Sequence, residues 1–272
     1  SIPLLKILEE AGVDAFDVDA GAYESMDYIF PPSYLGEACM AYVCKEARKH
    51  VKVPILNSGN HSPETALELL NSGDCDFVMF GRQSIADPYF AKKLMENRRE
   101  DIRPCILCNE ECIGRIFDRL TQLSCTVNPS AGFESYMQIE KTDSPKNIVV
   151  IGAGPAGLEA ARTAALKGHN VTVYEKQNFI GGTLGMIATA PFKKRIRELI
   201  DWYGVQLKKL GVKVVLGTEV TADDPLLEAA DQIIVATGSK PIIPPIKGID
   251  GANVINVVDA HHKGVDGKNI AI

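Results

Sequence analysis

Along the first hundred residues, apolar positions switch repeatedly between helical and strand spacing. Leu4, Leu5 and Leu8 share one helical face that stops at Ala11-Gly12, and Val13–Val18 reads as a strand. A helix is predicted near Leu35 to His50, and a second strand over Val53–Asn57. Ser62 and Pro63 then supply an N-cap and a first-turn proline for a helix running through Leu67 and Leu70 to Gly73. Phe77–Phe80 is continuously apolar, the pattern of a strand buried on both faces of a parallel sheet. The second and third strands each end in a glycine turn, Gly59-Asn60 and Gly81-Arg82. Backbone N–H groups there, with a guanidinium, suit a phosphate, although glycine after a strand is also an ordinary turn residue.

The pattern breaks at residues 130–146, a polar stretch ending in Ser144-Pro145-Lys146, and resumes in a different key. Asn147–Ile151 is an apolar strand that runs into Gly152-Ala153-Gly154-Pro155-Ala156-Gly157, followed by a helix to Lys167-Gly168 and the strand Val171–Glu175. A lone G-x-G-x-x-G says little. This one follows a strand, opens a helix and is answered by Glu175, 18 residues after Gly157. Gly152 permits the tight turn, Gly154 lets a pyrophosphate approach the backbone, Gly157 lets helix and strand pack, and Glu175 would accept from ribose hydroxyls. Phe179-Ile180-Gly181-Gly182 and the later strand Ile233–Val235, ending in Ala236-Thr237-Gly238, favour FAD over a nicotinamide nucleotide at this fold.

Between the halves lie Cys105, Cys108, Cys112 and Cys125, four of the chain's seven cysteines within 21 residues. Thiolates at short, uneven spacing suit an iron–sulfur cluster or a structural zinc. Zinc ribbons usually carry two C-x2-C knuckles; here there is one, with no histidine nearby, and the spacing alone leaves both metals open. Cys39, Cys44 and Cys75 are scattered in apolar surroundings, unlike a secreted disulfide framework, so a reducing cytoplasm is the expected compartment. The net charge of −6, with 46% hydrophobic and 24% charged residues, is that of a globular domain and argues against nucleic-acid partners. No apolar run approaches the roughly 20 residues of a membrane helix. The histidines, His61 among them, show no metal-ligand spacing and suggest surface or capping roles. Lys193, Lys194, Arg195 and Arg197 read as the solvated face of an amphipathic helix.

Glycine-ended strands, then C-x2-C-x3-C-x12-C, then V-V-I-G-A-G-P-A-G-L, resemble the 2,4-dienoyl-CoA reductase, enoate reductase and trimethylamine dehydrogenase family of the old yellow enzyme group. The resemblance implies an α/β protein: residues 1–100 as the last three β/α units of an FMN-binding TIM barrel, 101–130 as a [4Fe–4S] cysteine segment, 131–146 as linker, and 147–272 as an incomplete Rossmann-like FAD/NAD(P)-binding domain. Lys268–Ile272 would begin a nucleotide-domain strand. The chain thus resembles a truncated reductase or one piece of a split one, and the remaining barrel and nucleotide domain would be its partners, on the same or another chain.

Carried onto this sequence, Cys105, Cys108, Cys112 and Cys125 correspond to cluster ligands. Gly59, Asn60, Gly81 and Arg82 fall at the FMN-phosphate turns, and Gly152, Gly154, Pro155, Ala156, Gly157, Glu175, Lys176, Gly182, Thr183, Ala236, Thr237 and Gly238 at FAD contacts. The family commonly has Gly-Arg where this chain has Gly59-Asn60, and often glutamine where it has Thr183. Tyr23 occupies the place of a proton-donating histidine. The activity implied is NAD(P)H-dependent reduction of an activated C=C bond in an unsaturated acid or thioester. Electrons would pass from NAD(P)H through FAD, [4Fe–4S] and FMN, in a homo-oligomer. The alternatives are an electron-transfer module without substrate chemistry of its own and an amine dehydrogenase of the same architecture.

Overall fold

The computed structural model describes residues 2–271. The chain divides between Met137 and Gln138 into two compact units. The first comprises α1 (Ile2–Glu10), β1 (Phe16–Asp17), α2 (Met26–Ile29), α3 (Ala41–Arg48), β2 (Ile55–Asn57), α4 (Pro63–Asn71), β3 (Phe77–Val78), α5 (Gly81–Ala86), α6 (Phe90–Met95) and α7 (Arg115–Phe117). Its three strands form one parallel sheet in the order β1-β2-β3, with Phe16 opposite Ile55 and Leu56 opposite Phe77. Helix and strand alternate because each apolar helix face closes over the sheet. Phe16, Val18, Cys44, Ala47, Val51, Ile55 and Leu69 pack as one core, each large aliphatic side chain contributing about 1.5–3 kcal/mol on burial.

Local chemistry sets the element ends. Ser62 Oγ accepts from Thr65 N at 3.2 Å while Thr65 Oγ1 accepts from Ser62 N at 2.9 Å, a reciprocal cap that starts α4 as expected. The helix foreseen from residue 35 is shorter and begins at Ala41, because Gly36 (φ 80°) and Ala38 (φ 50°) take the left-handed region and break the spiral. Phe77 is 57% exposed, not buried on both faces, because β3 is the edge of the sheet. The polar stretch is also divided differently: Ala131 is buried in the first unit, and Gln122 Nε2 donates to the Gly132 carbonyl.

The second unit contains β4 (Asn147–Ile151), α8 (Pro155–Leu166), β5 (Asn170–Tyr174), α9 (Gly182–Ile187), α10 (Lys194–Lys209), β6 (Lys213–Val215), β7 (Gln232–Val235) and α11 (Val257–Lys263). Its sheet is parallel in the order β6-β5-β4-β7. From β4 the chain builds outward through β5 and β6, then crosses to β7 on the other side. The crevice for a ligand in such a sheet lies at this reversal, beyond the carboxyl ends of β4 and β7. Val150 and Val173 are fully buried in the strands against which α8 packs, and Leu158 of α8 and Leu207 of α10 are buried as those two helices pack together. The basic run on α10 is not wholly solvated. Arg195 keeps only 14% of its side chain exposed and pairs with Glu198 at 3.4 Å, and Arg197 donates to the Ala188 carbonyl at 3.1 Å. Lys268–Ala271 carry no strand, since no described strand pairs with them, and Ile272 lies outside the described residues.

Candidate functional site

The cysteine segment forms a loop whose sulfurs converge by backbone geometry. Leu107 (φ 55°) and Asn109 (φ 58°) take left-handed conformations on either side of Cys108, and a π-helical turn, Glu110–Gly114, carries Cys112. Glu111 ties the far side, accepting from Arg115 at 3.1 Å and Arg119 at 2.9 Å, while its carbonyl accepts from Ser124 N at 2.9 Å. The bond from Ser124 returns the chain so that Cys125 joins the first three. All four cysteines line one recess, together with Arg82, Asn109 and Thr126.

Helix α5 braces this loop from outside. Gln83 Nε2 donates to the Arg103 carbonyl at 2.9 Å and Gln83 Oε1 accepts from Cys105 N at 3.0 Å. Asp87, at the end of α5, accepts from Arg103 N at 2.9 Å and from Lys93 Nζ at 2.5 Å. Arg103 Nη1 in turn donates to the Val127 carbonyl at 2.6 Å, and Asn128 Nδ2 to the Ile85 carbonyl at 3.0 Å. Both ends of the cysteine segment are thus fastened to the helix that opens at Gly81-Arg82. No sequence motif marks Gln83, Asp87, Arg103, Asn109 or Asn128. In the sequence Asn128-Pro129 signals only a turn.

Burial pushes the Cys105 thiol up to about 11, against the Leu107 N–H and the Arg82 charge, which favour its thiolate. Burial likewise raises Cys112 and Cys125, although the N–H groups of Ile113, Val127 and Asn128 favour their thiolates. Half-buried sulfurs that accept backbone N–H bonds match the surroundings that hold and tune an iron–sulfur cluster. Among the described residues no three His, Cys, Asp or Glu side chains are arranged to hold a single metal ion.

The strand-end turns sit beside this loop. Gly59 (φ 117°) is buried against Met40, where a Cβ would lie 3.0 Å from the Met40 side chain. Asn60 (φ 58°) is buried too, with Nδ2 donating to the carbonyls of Pro32 at 3.2 Å and Gly36 at 3.1 Å, so its amide is spent within the fold. Gly81 is exposed at the start of α5. His61 is not at the surface. It is buried, with Nε2 3.0 Å from Oδ1 of the fully buried Asn57, whose Nδ2 donates to the Val18 carbonyl at 2.8 Å. Tyr23 stands apart in a short turn, 83% exposed.

In the second unit the glycine turn has the steric signature its sequence promised. A Cβ on Gly157 would overlap the Gly152 carbonyl oxygen, and one on Gly152 (φ 104°) would overlap the Ala236 carbonyl. Gly154 faces open space and caps α8, with Pro155 at its first position, so the N-terminus of a 12-residue helix is open to an anion. Glu175 is buried and clamps the turn: Oε2 accepts from Ala153 N at 2.7 Å and Oε1 from Gln177 N at 2.9 Å. Gly181 N donates to the Ala153 carbonyl at 2.8 Å, which brings Gly182 over Gly154. Pro155, Ala156, Lys176, Thr183, Thr237 and Gly238 are exposed around this crevice. The bare backbone, the helix terminus and the carboxylate fit a dinucleotide.

Two family profiles divide the chain between them. Residues 3–101 match the NADH:flavin oxidoreductase / NADH oxidase family, and residues 146–272 match the pyridine nucleotide-disulphide oxidoreductases. The chain belongs to the flavin oxidoreductases of the 2,4-dienoyl-CoA reductase-like family, in which these two modules are joined. It is 42% identical to an NADH oxidase of Thermoanaerobacter brockii over 92% of this chain and 39% of the relative. It is 35% identical to a cinnamate reductase of Clostridium sporogenes over 100% of this chain and 41% of the relative. Among solved structures it superposes on a 2-naphthoyl-CoA reductase in complex with 2-naphthoyl-CoA with a TM-score of 0.89 at 36% identity, covering 97% of this chain and 41% of that one. The chain therefore spans about two fifths of the length of these relatives. No helix among the described residues is long and apolar enough to cross a membrane.

Proposed function

We propose that this chain is the electron-transfer centre of an NADH-dependent reductase that saturates an activated C=C bond in a 2-enoate or enoyl-CoA thioester. Cys105, Cys108, Cys112 and Cys125 would hold a [4Fe–4S] cluster, the turns at Gly59 and Gly81-Arg82 the phosphate of FMN, and the Gly152–Gly157 turn with Glu175 and Gly182 an FAD. When bound, the flavins exchange two electrons for one and the cluster carries single electrons, so flavins that need not touch can be joined. The observation that carries the reading is the bracing of the cysteine loop by α5, the helix that opens at the second phosphate turn. The protein's own contribution is to hold four sulfurs around one recess, those of Cys105, Cys112 and Cys125 half-buried and that of Cys108 exposed, and to keep Gly154 and the terminus of α8 clear for an anion. The exposed Tyr23 hydroxyl is assigned the delivery of a proton to substrate.

Iron, sulfide and flavin analysis of the anaerobically purified protein tests this directly. About four irons and four sulfides per chain, with both flavins, is the expected result for such a cluster. One zinc without sulfide would overturn it. Tyr23→Phe is expected to slow NADH-dependent reduction of an aryl 2-enoate by about 100-fold or more without loss of either flavin. An unaltered rate would remove Tyr23 from the chemistry.

A further inference from the structure

Arg82 opens α5 and sends its two terminal nitrogens to different parts of the first unit. Nη2 donates to Asn60 Oδ1 at 2.5 Å and Nη1 to Asn109 Oδ1 at 2.5 Å. Each asparagine is anchored from its other end. Asn60 holds the Pro32 and Gly36 carbonyls, and Asn109 Nδ2 donates to the Phe30 carbonyl at 2.7 Å. Neither amide can follow the arginine if it moves, so the guanidinium is fixed between the turn after β2 and the loop between Cys108 and Cys112. Arg82 also lines the same recess as the four cysteines, and its charge bears on Cys105, Cys112 and Cys108.

We propose that Arg82 is a positioning residue for the cysteine site. It is a fixed cation that favours the more negative oxidation state of a cluster held there, and a strut that keeps Asn109 left-handed so that Cys108 and Cys112 face the recess. The inference rests on the cluster reading above and adds to the phosphate role expected of Gly81-Arg82. Adding one electron to a cluster makes it more negative, and a cation nearby, screened little in a half-buried site, lowers the energy of that state. Two asparagines on separate elements require a planar fork. An ammonium on a flexible stem supplies the charge without that geometry.

The test is a reductive titration of the anaerobically purified holoenzyme, followed by the electron paramagnetic resonance signal of the reduced cluster. Wild type, Arg82→Gln and Arg82→Lys are compared after iron and sulfide content has been measured. Arg82→Gln is expected to shift the reduced-to-oxidised ratio at a fixed potential by about tenfold toward the oxidised form, a fall of about 59 mV for a one-electron couple. Arg82→Lys keeps the charge and is expected to shift the ratio by about threefold or less, but measurably. A fully loaded Arg82→Gln at the wild-type potential overturns the inference. Loss of FMN with an unmoved potential does the same, by confining Arg82 to the phosphate turn. Should Arg82→Gln hold no iron, Arg82→Lys decides: a shifted potential supports the inference, and the wild-type potential overturns it. A wild type without iron and sulfide removes the cluster reading and this inference with it. A loaded wild type indifferent to residue 82 removes the inference alone.

Discussion

The glycine turn of the second unit and the cysteine loop of the first both prepare a concave place for a cofactor, by opposite means. At the glycine turn, geometry follows from missing side chains. Gly152 and Gly157 leave room for carbonyl oxygens where a Cβ would otherwise lie, one from Gly152 itself and one from Ala236 after β7, and Glu175 at the end of β5 fastens the turn. At the cysteine loop, geometry follows from side chains that arrive from elsewhere. Gln83 and Asp87 hold its start, Asn128 fastens its end to α5, and Arg82 holds its middle. The first kind of site is marked by a local glycine motif and tolerates no added atom at Gly152 or Gly157. The second is specified by distant hydrogen bonds and can be loosened one bond at a time.

Gly157→Ala should break the comparison hardest. The added Cβ meets the Gly152 carbonyl, which cannot retreat, because Gly152 N is held by the Tyr174 carbonyl at 2.8 Å and Ala236 closes the other side. The expected cost lies at or beyond the upper end of the about 1–3 kcal/mol typical of overpacking. Flavin should be lost from the second unit while iron in the first is retained. Thermal unfolding followed by flavin and iron fluorescence or absorbance would show the split. Loss of both together would mean that the two sites are not independently specified.

Gln83→Ala should act more gently and on the other site. It deletes both bonds of the brace, leaving the Arg103 carbonyl and the Cys105 N–H to find water, at about 1–3 kcal/mol. Iron retention on dilution or chelator challenge should fall, with flavin at the glycine turn unchanged. Gln83→Glu keeps one acceptor for Cys105 N and should recover part of the loss. A Gln83→Ala protein that holds iron as firmly as wild type would show that the sulfurs hold their places without the brace.

This contrast also explains what could be read from the chain beforehand. The strand–glycine–helix unit, the α4 cap at Ser62-Pro63 and the grouping of four cysteines were legible, because each carries a recognisable motif of residue types and spacing. The braces were not, because no motif links their partners, which lie 16 residues apart for Asp87 and Arg103 and 43 apart for Ile85 and Asn128. Nothing in the local pattern of Gln83 distinguishes a brace from a solvated helix residue. The helix foreseen from Leu35 failed for a related reason. Only the buried seat of Asn60, which takes up the Pro32 and Gly36 carbonyls, shows why the chain must turn there before α3. Asn60 itself looked like a degraded phosphate contact, and the structure shows an internal anchor.

His61 gives the smallest and most specific way to separate the units. Burial holds its imidazole below the ordinary value, against the nearby Asp19 and Glu37 carboxylates, which favour protonation. In the unfolded chain the same ring takes up a proton near pH 6.5. As pH falls through that value, the unfolded state therefore binds more protons than the folded one, and the first unit loses stability. The loss begins near the unfolded value and levels off only once the pH is below the folded one. Chemical denaturation of the first unit between pH 7.5 and about 5.0 should show this slope, and His61→Gln, which can still reach Asn57 Oδ1 through its amide, should flatten it. The second unit offers a control, since its unfolding should be unaltered by the substitution. A slope that persists in His61→Gln would place the sensitive group elsewhere in the first unit, and would mean that the His61–Asn57 pair beneath the Gly59 turn serves packing alone.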